Sequence, residues 1–173
     1  MVIREIQLAD QPAIRQLIKE AFSATKRGYG NEAELVEKIR QSDGYLKTLE
    51  LVVIKDGELV GHGLLSEVKI INEGFSATGL VLAPLTIKVA FQRQGLGKAL
   101  MWELEKRAQV LTYPFISILG HADYYPKFGY QPASKFQVQA PFEVADESFM
   151  LKPLFEDALA EIYGTVKYSD AFE

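Results

Sequence analysis

Phe91-Gln92-Arg93-Gln94-Gly95-Leu96-Gly97-Lys98 lies between a long apolar stretch, Thr78 to Val89, and a segment where Leu96, Ala99, Leu100, Leu104, Ala108 and Leu111 recur at helical spacing. A short apolar run, Phe115 to Leu119, comes next. Strand, glycine turn, helix and strand in that order make a βαβ unit, whose crossover favours parallel pairing of the flanking strands. Because Gly95 and Gly97 open the helix, unpaired backbone N–H groups gather at the positive end of its dipole and select an anion. Arg93 and Lys98 add formal positive charge, and glycine allows the backbone to approach a pyrophosphate closely. A Walker-type loop would need Gly at position 92 and Ser or Thr at position 99, where Gln92 and Ala99 stand. A dinucleotide fingerprint would need a small residue in place of Leu100. Taken alone, the two glycines are equally well read as a tight turn at a helix entry.

Upstream, Val2 to Leu8 alternates as a first strand, with Val2, Arg4, Ile6 and Leu8 on one face. Asp10 is placed to cap a helix with Pro12 in its first turn, and Ile14, Leu17, Ile18, Ala21 and Phe22 supply the apolar stripe. After Gly28-Tyr29-Gly30, Asn31 is placed to cap a second helix carrying Leu35, Val36 and Ile39. Leu49 to Ile54 and Leu59 to Val68 flank Lys55-Asp56-Gly57-Glu58, where Asp-Gly favours a type I′ hairpin turn. The glycine-opened helix should run to about Thr112, with Trp102 off its apolar stripe, beneath a C-terminal segment or in a subunit contact. Past Tyr130, prolines punctuate a less regular stretch in which Val138, Phe142, Phe149, Leu151 and Val166 suggest short strands. No linker divides the chain, so residues 1–173 read as a single mixed α/β (α+β) domain, with a core over about 1–130 and a C-terminal elaboration over 131–173.

Composition removes several function classes. With no Cys and only His62 and His121, thiol chemistry, disulfides and a structural zinc site are excluded or nearly so. Nineteen Lys plus Arg against 23 Asp plus Glu lack the basic excess of a nonspecific nucleic-acid binder. There is no apolar leader and no membrane-length apolar run, which points to the cytoplasm. A Gly-x-Ser-x-Gly elbow and a converging carboxylate cluster for Mg²⁺ are both absent.

Gln92-Arg93-Gln94-Gly95-Leu96-Gly97 matches the Gln/Arg-x-x-Gly-x-Gly/Ala motif of the GNAT acyltransferases, in the same place between strand and helix. Tyr124-Tyr125-Pro126-Lys127-Phe128-Gly129-Tyr130 is similar to the aromatic-Tyr-x-x-x-Gly-aromatic segment that follows the next strand in that superfamily. From Met1 to Tyr130 the chain resembles a GNAT acetyltransferase. Leu80 to Pro84, Leu119-Gly120, Pro141-Phe142, Phe149-Met150 and Gly164-Thr165-Val166 with Tyr168 resemble the branch of predicted N-acetyltransferases called YhbS-like.

The resemblance implies a mostly antiparallel central sheet flanked by helices, with one parallel strand pair splayed apart to admit acetyl-CoA. It implies that the backbone of Leu85, Thr86 and Ile87 pairs with the pantetheine arm, that Gln92, Arg93, Gln94, Gly95, Leu96, Gly97 and Lys98 cradle the pyrophosphate, and that no metal takes part. A backbone N–H of the same strand would stabilise the oxyanion. Tyr125 matches the superfamily tyrosine that protonates the departing thiolate, a role open to a phenol that is neutral at pH 7; the other reading is a packing aromatic, the role given to Tyr124. Relatives that carry a base on the cofactor strand have it where this chain has Val81 and Ala83. Glu34 and His121 are the main remaining bases, with Asp123 and Glu67 behind them, and His62, between Gly61 and Gly63, reads as structural. The expected reaction is acetyl transfer to a primary amine of a small molecule or peptide by direct attack in a ternary complex. The alternative is a CoA-binding regulatory module with little turnover. Neither nucleic acid nor membrane is an expected partner, and a homodimer is the commonest closed assembly. Tyr29, Phe22 and Phe75 could line an acceptor pocket or belong to the core.

Overall fold

The computed structural model describes residues 1–173. Strand β1 (Val2–Glu5) precedes helices α1 (Gln11–Ser23) and α2 (Glu32–Arg40). Strands β2 (Glu50–Lys55), β3 (Glu58–Asn72) and β4 (Phe75–Ile87) follow, then helix α3 (Leu96–Val110) and strand β5 (Phe115–Leu119). Four short strands complete the chain: β6 (Gln131–Pro132), β7 (Val138–Gln139), β8 (Phe149–Pro153) and β9 (Gly164–Lys167). A nine-stranded sheet runs β1-β2-β3-β4-β5-β8-β6, with β9 on the distal half of β3 and β7 beside β9. The pairs are antiparallel except β4 with β5 and the short β7 with β9.

The Asp56-Gly57 turn has φ of 53° and 75°, the two positive values that a type I′ hairpin requires. A second hairpin, Asn72-Glu73-Gly74-Phe75, lengthens β3 beyond Val68 and starts β4 before Thr78. Its strands carry the exposed Lys69, Ile71 and Ser76, so ladder hydrogen bonds rather than an apolar pattern define them. At the other end, β1 stops at Glu5 and Leu8 is left 81% exposed. Asp10 stands at the head of α1, but its carboxylate accepts the Gln7 N–H at 2.7 Å and pairs with Arg4 at 2.7 Å, serving the preceding turn instead of the helix. Asn31 makes no side-chain cap either; the Tyr29 hydroxyl accepts the Ala33 N–H of α2 at 3.2 Å.

The alternation of β2, β3 and β4 sends one set of side chains to each face. Leu51, Val53, Leu65, Leu80 and Leu82 meet Leu96, Leu100, Met101, Leu104 and Ala108 of α3. On the other face, Ile14, Ile18, Val36 and Ile39 of α1 and α2 cover Val52 and Leu64. Beyond them, Val138, Leu159 and Val166 of the C-terminal region cover Val68, Ile70, Val81 and Phe115. That region is thus part of the sheet and closes its second core. Trp102 is 56% exposed, with the Lys98 ammonium 4.7 Å from its ring centre, and does not lie beneath the C-terminal segment. Phe22 and Tyr29 pack at the margin of the α1/α2 core, while Phe75 is exposed at the distal hairpin.

Phe115 depends on a missing side chain, since a Cβ at Gly79 would stand 2.4 Å from its ring. Gly79→Ala should therefore cost about 1–3 kcal/mol through overpacking, seen as a lower urea midpoint with an unchanged slope. An unchanged midpoint would show that Phe115 moves aside freely.

Candidate active site

Strands β4 and β5 are partners at two positions only, Leu80 with Ile116 and Val81 with Ser117. β4 then continues for six residues to Ile87 and β5 for two more to Leu119, without further pairing to each other. Their outer edges are occupied by β3 and by β8. The result is a wedge inside the sheet, bordered by strand edges that face no strand.

The mouth of the wedge leads to the glycine turn. A short turn of helix, Val89–Phe91, ends at an extended Gln92; Arg93 takes φ 63° and Gly95 φ 83°, and α3 starts at Leu96. A left-handed Arg93 is uncommon for a residue with a side chain. From Arg93 to Lys98, no backbone N–H donates to a carbonyl of the chain. Six consecutive donors at the positive end of a 15-residue helix make an anion cradle. The motif side chains hold the turn in shape: the Gln92 amide donates to the Ile87 carbonyl at 3.0 Å, and Lys55 donates to the Gln94 side chain at 3.0 Å. Leu96 is buried in the core, so only its backbone faces the cradle. Arg93 and Lys98 are exposed beside it.

Tyr124 and Tyr125 follow the end of β5, and their rings meet edge-on at 5.1 Å. Tyr125 packs over Gly120, where a Cβ would come within 2.5 Å of its ring, and against the apolar cluster around α3. Burial, and secondarily Tyr124, pushes the Tyr125 phenol above its ordinary value. Burial raises Tyr124 as well. Tyr124 packs, as read from sequence, and it does so against the head of α3: a Cβ at Gly97 would stand 2.8 Å from its hydroxyl oxygen. The second glycine of the motif therefore leaves room for a tyrosine hydroxyl at the head of α3. Residue type gave no hint of this, because only the fold turns the first of two adjacent tyrosines toward the helix.

The rest of this segment is tied to the same helix. Gly129 at φ 93° ends a turn over Tyr125–Phe128, and the buried Tyr130 donates to Glu105 of α3 at 2.9 Å. Lys152 of β8 reaches the same carboxylate at 3.1 Å. Burial, with Glu105 beside it, raises the Tyr130 phenol. α3 thus carries the cradle at its first turn and anchors the tyrosine segment farther along.

The carboxylates and histidines singled out from sequence are dispersed. Glu34 on α2 accepts the Tyr29 hydroxyl, and this hydrogen bond lowers its carboxyl below the ordinary value. His121 is exposed, and its backbone carbonyl accepts the Tyr124 N–H at 3.2 Å. Asp123 is exposed, and Glu67 accepts the Tyr113 hydroxyl at 2.7 Å. His62 is fully buried on β3, 3.8 Å from Glu50. No group of three or more His, Asp or Glu is placed to hold a metal ion, and no helix is long and apolar enough to cross a membrane.

Residues 12–130 match the model of the acetyltransferase (GNAT) family. The uncharacterized N-acetyltransferase YhbS of Escherichia coli strain K12 is 30% identical over 173 residues, covering 99% of this chain and 98% of that one. YjhQ of the same strain, also an uncharacterized N-acetyltransferase, is 29% identical over 140 residues, 80% of this chain and 75% of that one. The crystal structure of Escherichia coli YhbS in complex with CoA superposes with a TM-score of 0.88 at 26% identity, over 99% of this chain and 91% of that one. A Brucella melitensis GNAT acetyltransferase in complex with acetyl-CoA superposes with a TM-score of 0.78 at 25% identity, over 99% and 97%. With a splayed strand pair, a glycine-opened helix beside it and a relative alike from end to end, this chain belongs to the GNAT family of N-acetyltransferases.

Proposed function

We propose that this chain, acting as one catalytic unit over residues 1–173, moves the acetyl group of acetyl-CoA to a primary amine of a small molecule or peptide by direct attack in a ternary complex. The observation that carries this reading is the run of free N–H groups from Arg93 to Lys98 at the mouth of the β4/β5 wedge. A diphosphate suits those donors, and an extended amide-bearing arm suits an open strand edge. Relatives similar along their whole length hold CoA or acetyl-CoA in crystal structures, which supports the same substrate here.

In this reading Gln92, Arg93, Gln94, Gly95, Leu96, Gly97 and Lys98 hold the pyrophosphate mainly through backbone, with Tyr124 beside them. Leu85, Thr86 and Ile87 offer their backbone to the arm. Acetyl-CoA supplies an activated acyl group with a thiolate leaving group. A strand N–H beside the carbonyl stabilises developing negative charge without needing to reorganise. Tyr125 gives its proton to the sulfur; its raised pKa keeps the phenol protonated at every pH near neutrality. Glu34 and His121 are the bases drawn from sequence, and the Tyr29 hydrogen bond makes the Glu34 carboxylate a weaker base than an ordinary one.

Three measurements check this. Acetyl-CoA at 100 times its dissociation constant should stabilise the wild type by about 2.7 kcal/mol and leave a Gly95→Asp, Gly97→Asp variant unaffected; a wild type indifferent to every CoA species would end the reading. Tyr125→Phe keeps the ring and should lower kcat about 10²-fold with a good amine, with the KM for acetyl-CoA little changed; full turnover would remove Tyr125 from the chemistry. Finally, Tyr29→Phe should raise the Glu34 titration midpoint, followed by carboxyl-carbon NMR. A lowered carboxyl contributes stability above its unfolded pKa and loses it as pH falls through the folded one, so the deficit of the variant relative to the wild type should be larger above the carboxylate range than below it, on top of a pH-independent loss of the Ala33 N–H bond.

A further inference from the structure

The sheet face beneath α1 and α2 carries a polar line across three strands. Val52, His62 and Thr86 are register partners on β2, β3 and β4. Glu50 projects from the same side as Val52, two residues earlier. Glu50 and His62 are 0% exposed and Thr86 is 3% exposed. The Glu50 carboxylate is well provided for, accepting the Arg40 Nε at 2.8 and 3.2 Å. His62 is not: its Nε2 lies 3.8 Å from Glu50 Oε1, beyond hydrogen-bond length, and neither ring nitrogen has a protein partner. The Thr86 hydroxyl lacks one too.

Buried polar atoms left unpaired destabilise a fold, and surrounding positions such as Val52 and Leu64 are simple hydrophobes. A position that needed only filling would be better served by one of those. A carboxylate beside an otherwise unengaged imidazole, itself beside a free hydroxyl on the proposed substrate strand, has the arrangement of a base with its orienting group. We propose that His62, backed by Glu50, takes the proton from the acceptor amine through the Thr86 hydroxyl and a water bridging the two side chains. Register partners on antiparallel strands have Cβ atoms about 4.5–5.5 Å apart, a span that one water bridges.

This rests on the reading of Leu85, Thr86 and Ile87 as the wall of the acetyl-CoA arm. In this proposal the amine reaches the thioester on the sheet face that carries Thr86. Its ammonium form gives one proton to His62, the C–N bond forms and the C–S bond breaks. Sulfur takes the Tyr125 proton, and the second nitrogen proton returns to the Tyr125 oxygen through solvent. Once the amide has left, His62 returns its proton along the same water and Thr86 hydroxyl, so each amide formed yields one proton overall. Glu50 on β2 supplies the negative charge that an imidazolium needs, and Arg40 on α2 opposes it. Tyr45, held up to about 12 by burial and by Glu50, stays a neutral phenol. α1 contributes only Ile14, Leu17, Ile18 and Ala21 to the buried face.

The test pairs kinetics with NMR of the imidazole nitrogens. Two histidines make the spectrum simple, and His121→Gln assigns it. With whichever of phenethylamine, spermidine or a short peptide is acetylated fastest, His62→Gln should lower kcat about 10²-fold at neutral pH and abolish the acid limb of the rate profile. The KM for acetyl-CoA should stay within about two-fold, since no proposed cradle group is touched. In the wild type bound to acetyl-CoA, the His62 nitrogens should change protonation over the same pH interval as that limb. An imidazole fixed as one neutral tautomer wherever the enzyme works, or a His62→Gln enzyme that keeps the wild-type acid limb, overturns the assignment. The NMR arm decides even if His62→Gln does not fold. Failure of acetyl-CoA to stabilise the wild type is a separate result, which sinks the substrate-arm reading itself.

Discussion

Past Leu80 and Val81, the backbone of β4 runs on with no strand on its β5 side, and peptide groups inside a sheet need partners. Most of what is distinctive in this chain follows from how that edge is kept open. β3 supports β4 along almost its whole length, from Gly61 opposite Ile87 to Asn72 opposite Phe75. β8 supports β5 from Phe115 to Leu119. Each side of the wedge is therefore rigid without the other. An open edge of this kind can take up an extended ligand by strand-like pairing at little cost in ordering.

The same helix serves both sides of the opening. α3 follows β4 directly and leads into β5, so its first turn must fall at the mouth of the wedge. Its far half carries Glu105, which takes hydrogen bonds from Tyr130 and Lys152 and so fixes the tyrosine segment after β5. Tyr124 closes the loop by bringing its hydroxyl back to Gly97. Donor cradle, open edge and phenols are thus held by one element whose buried face is otherwise apolar.

The two faces of the sheet differ in chemistry. Against α3 the packing is almost purely aliphatic, with Glu105 as the buried exception. The opposite face holds Glu50, His62, Ser66, Thr86 and Ser117, most with polar atoms that have no protein partner. Ser66 and Ser117 flank Val81, the last β4 residue paired with β5. A core built only for stability would avoid such a concentration of unpaired groups.

The glycine turn, the βαβ unit, the Asp56-Gly57 hairpin and the tyrosine segment were legible in the sequence, because each is set by local backbone demands that residue types announce. Caps were legible only as positions: Asp10 and Asn31 stand where expected, yet Arg4 and Tyr29 redirected the bonds. The long β3/β4 hairpin escaped because its distal residues alternate weakly. The C-terminal strands were visible as fragments, but not as the cover of a second core, since that depends on β9 finding the far edge of β3. By itself, then, the sequence determined which elements form and where the glycine turn at the head of α3 sits, both being matters of periodicity and of dihedrals open to glycine. Only the tertiary structure decided that β4 and β5 part after two pairs, that Tyr124 reaches Gly97, and that Glu50, His62 and Thr86 share one buried face. Those facts depend on register across strands far apart in the chain, and register is fixed by the packing of the whole sheet.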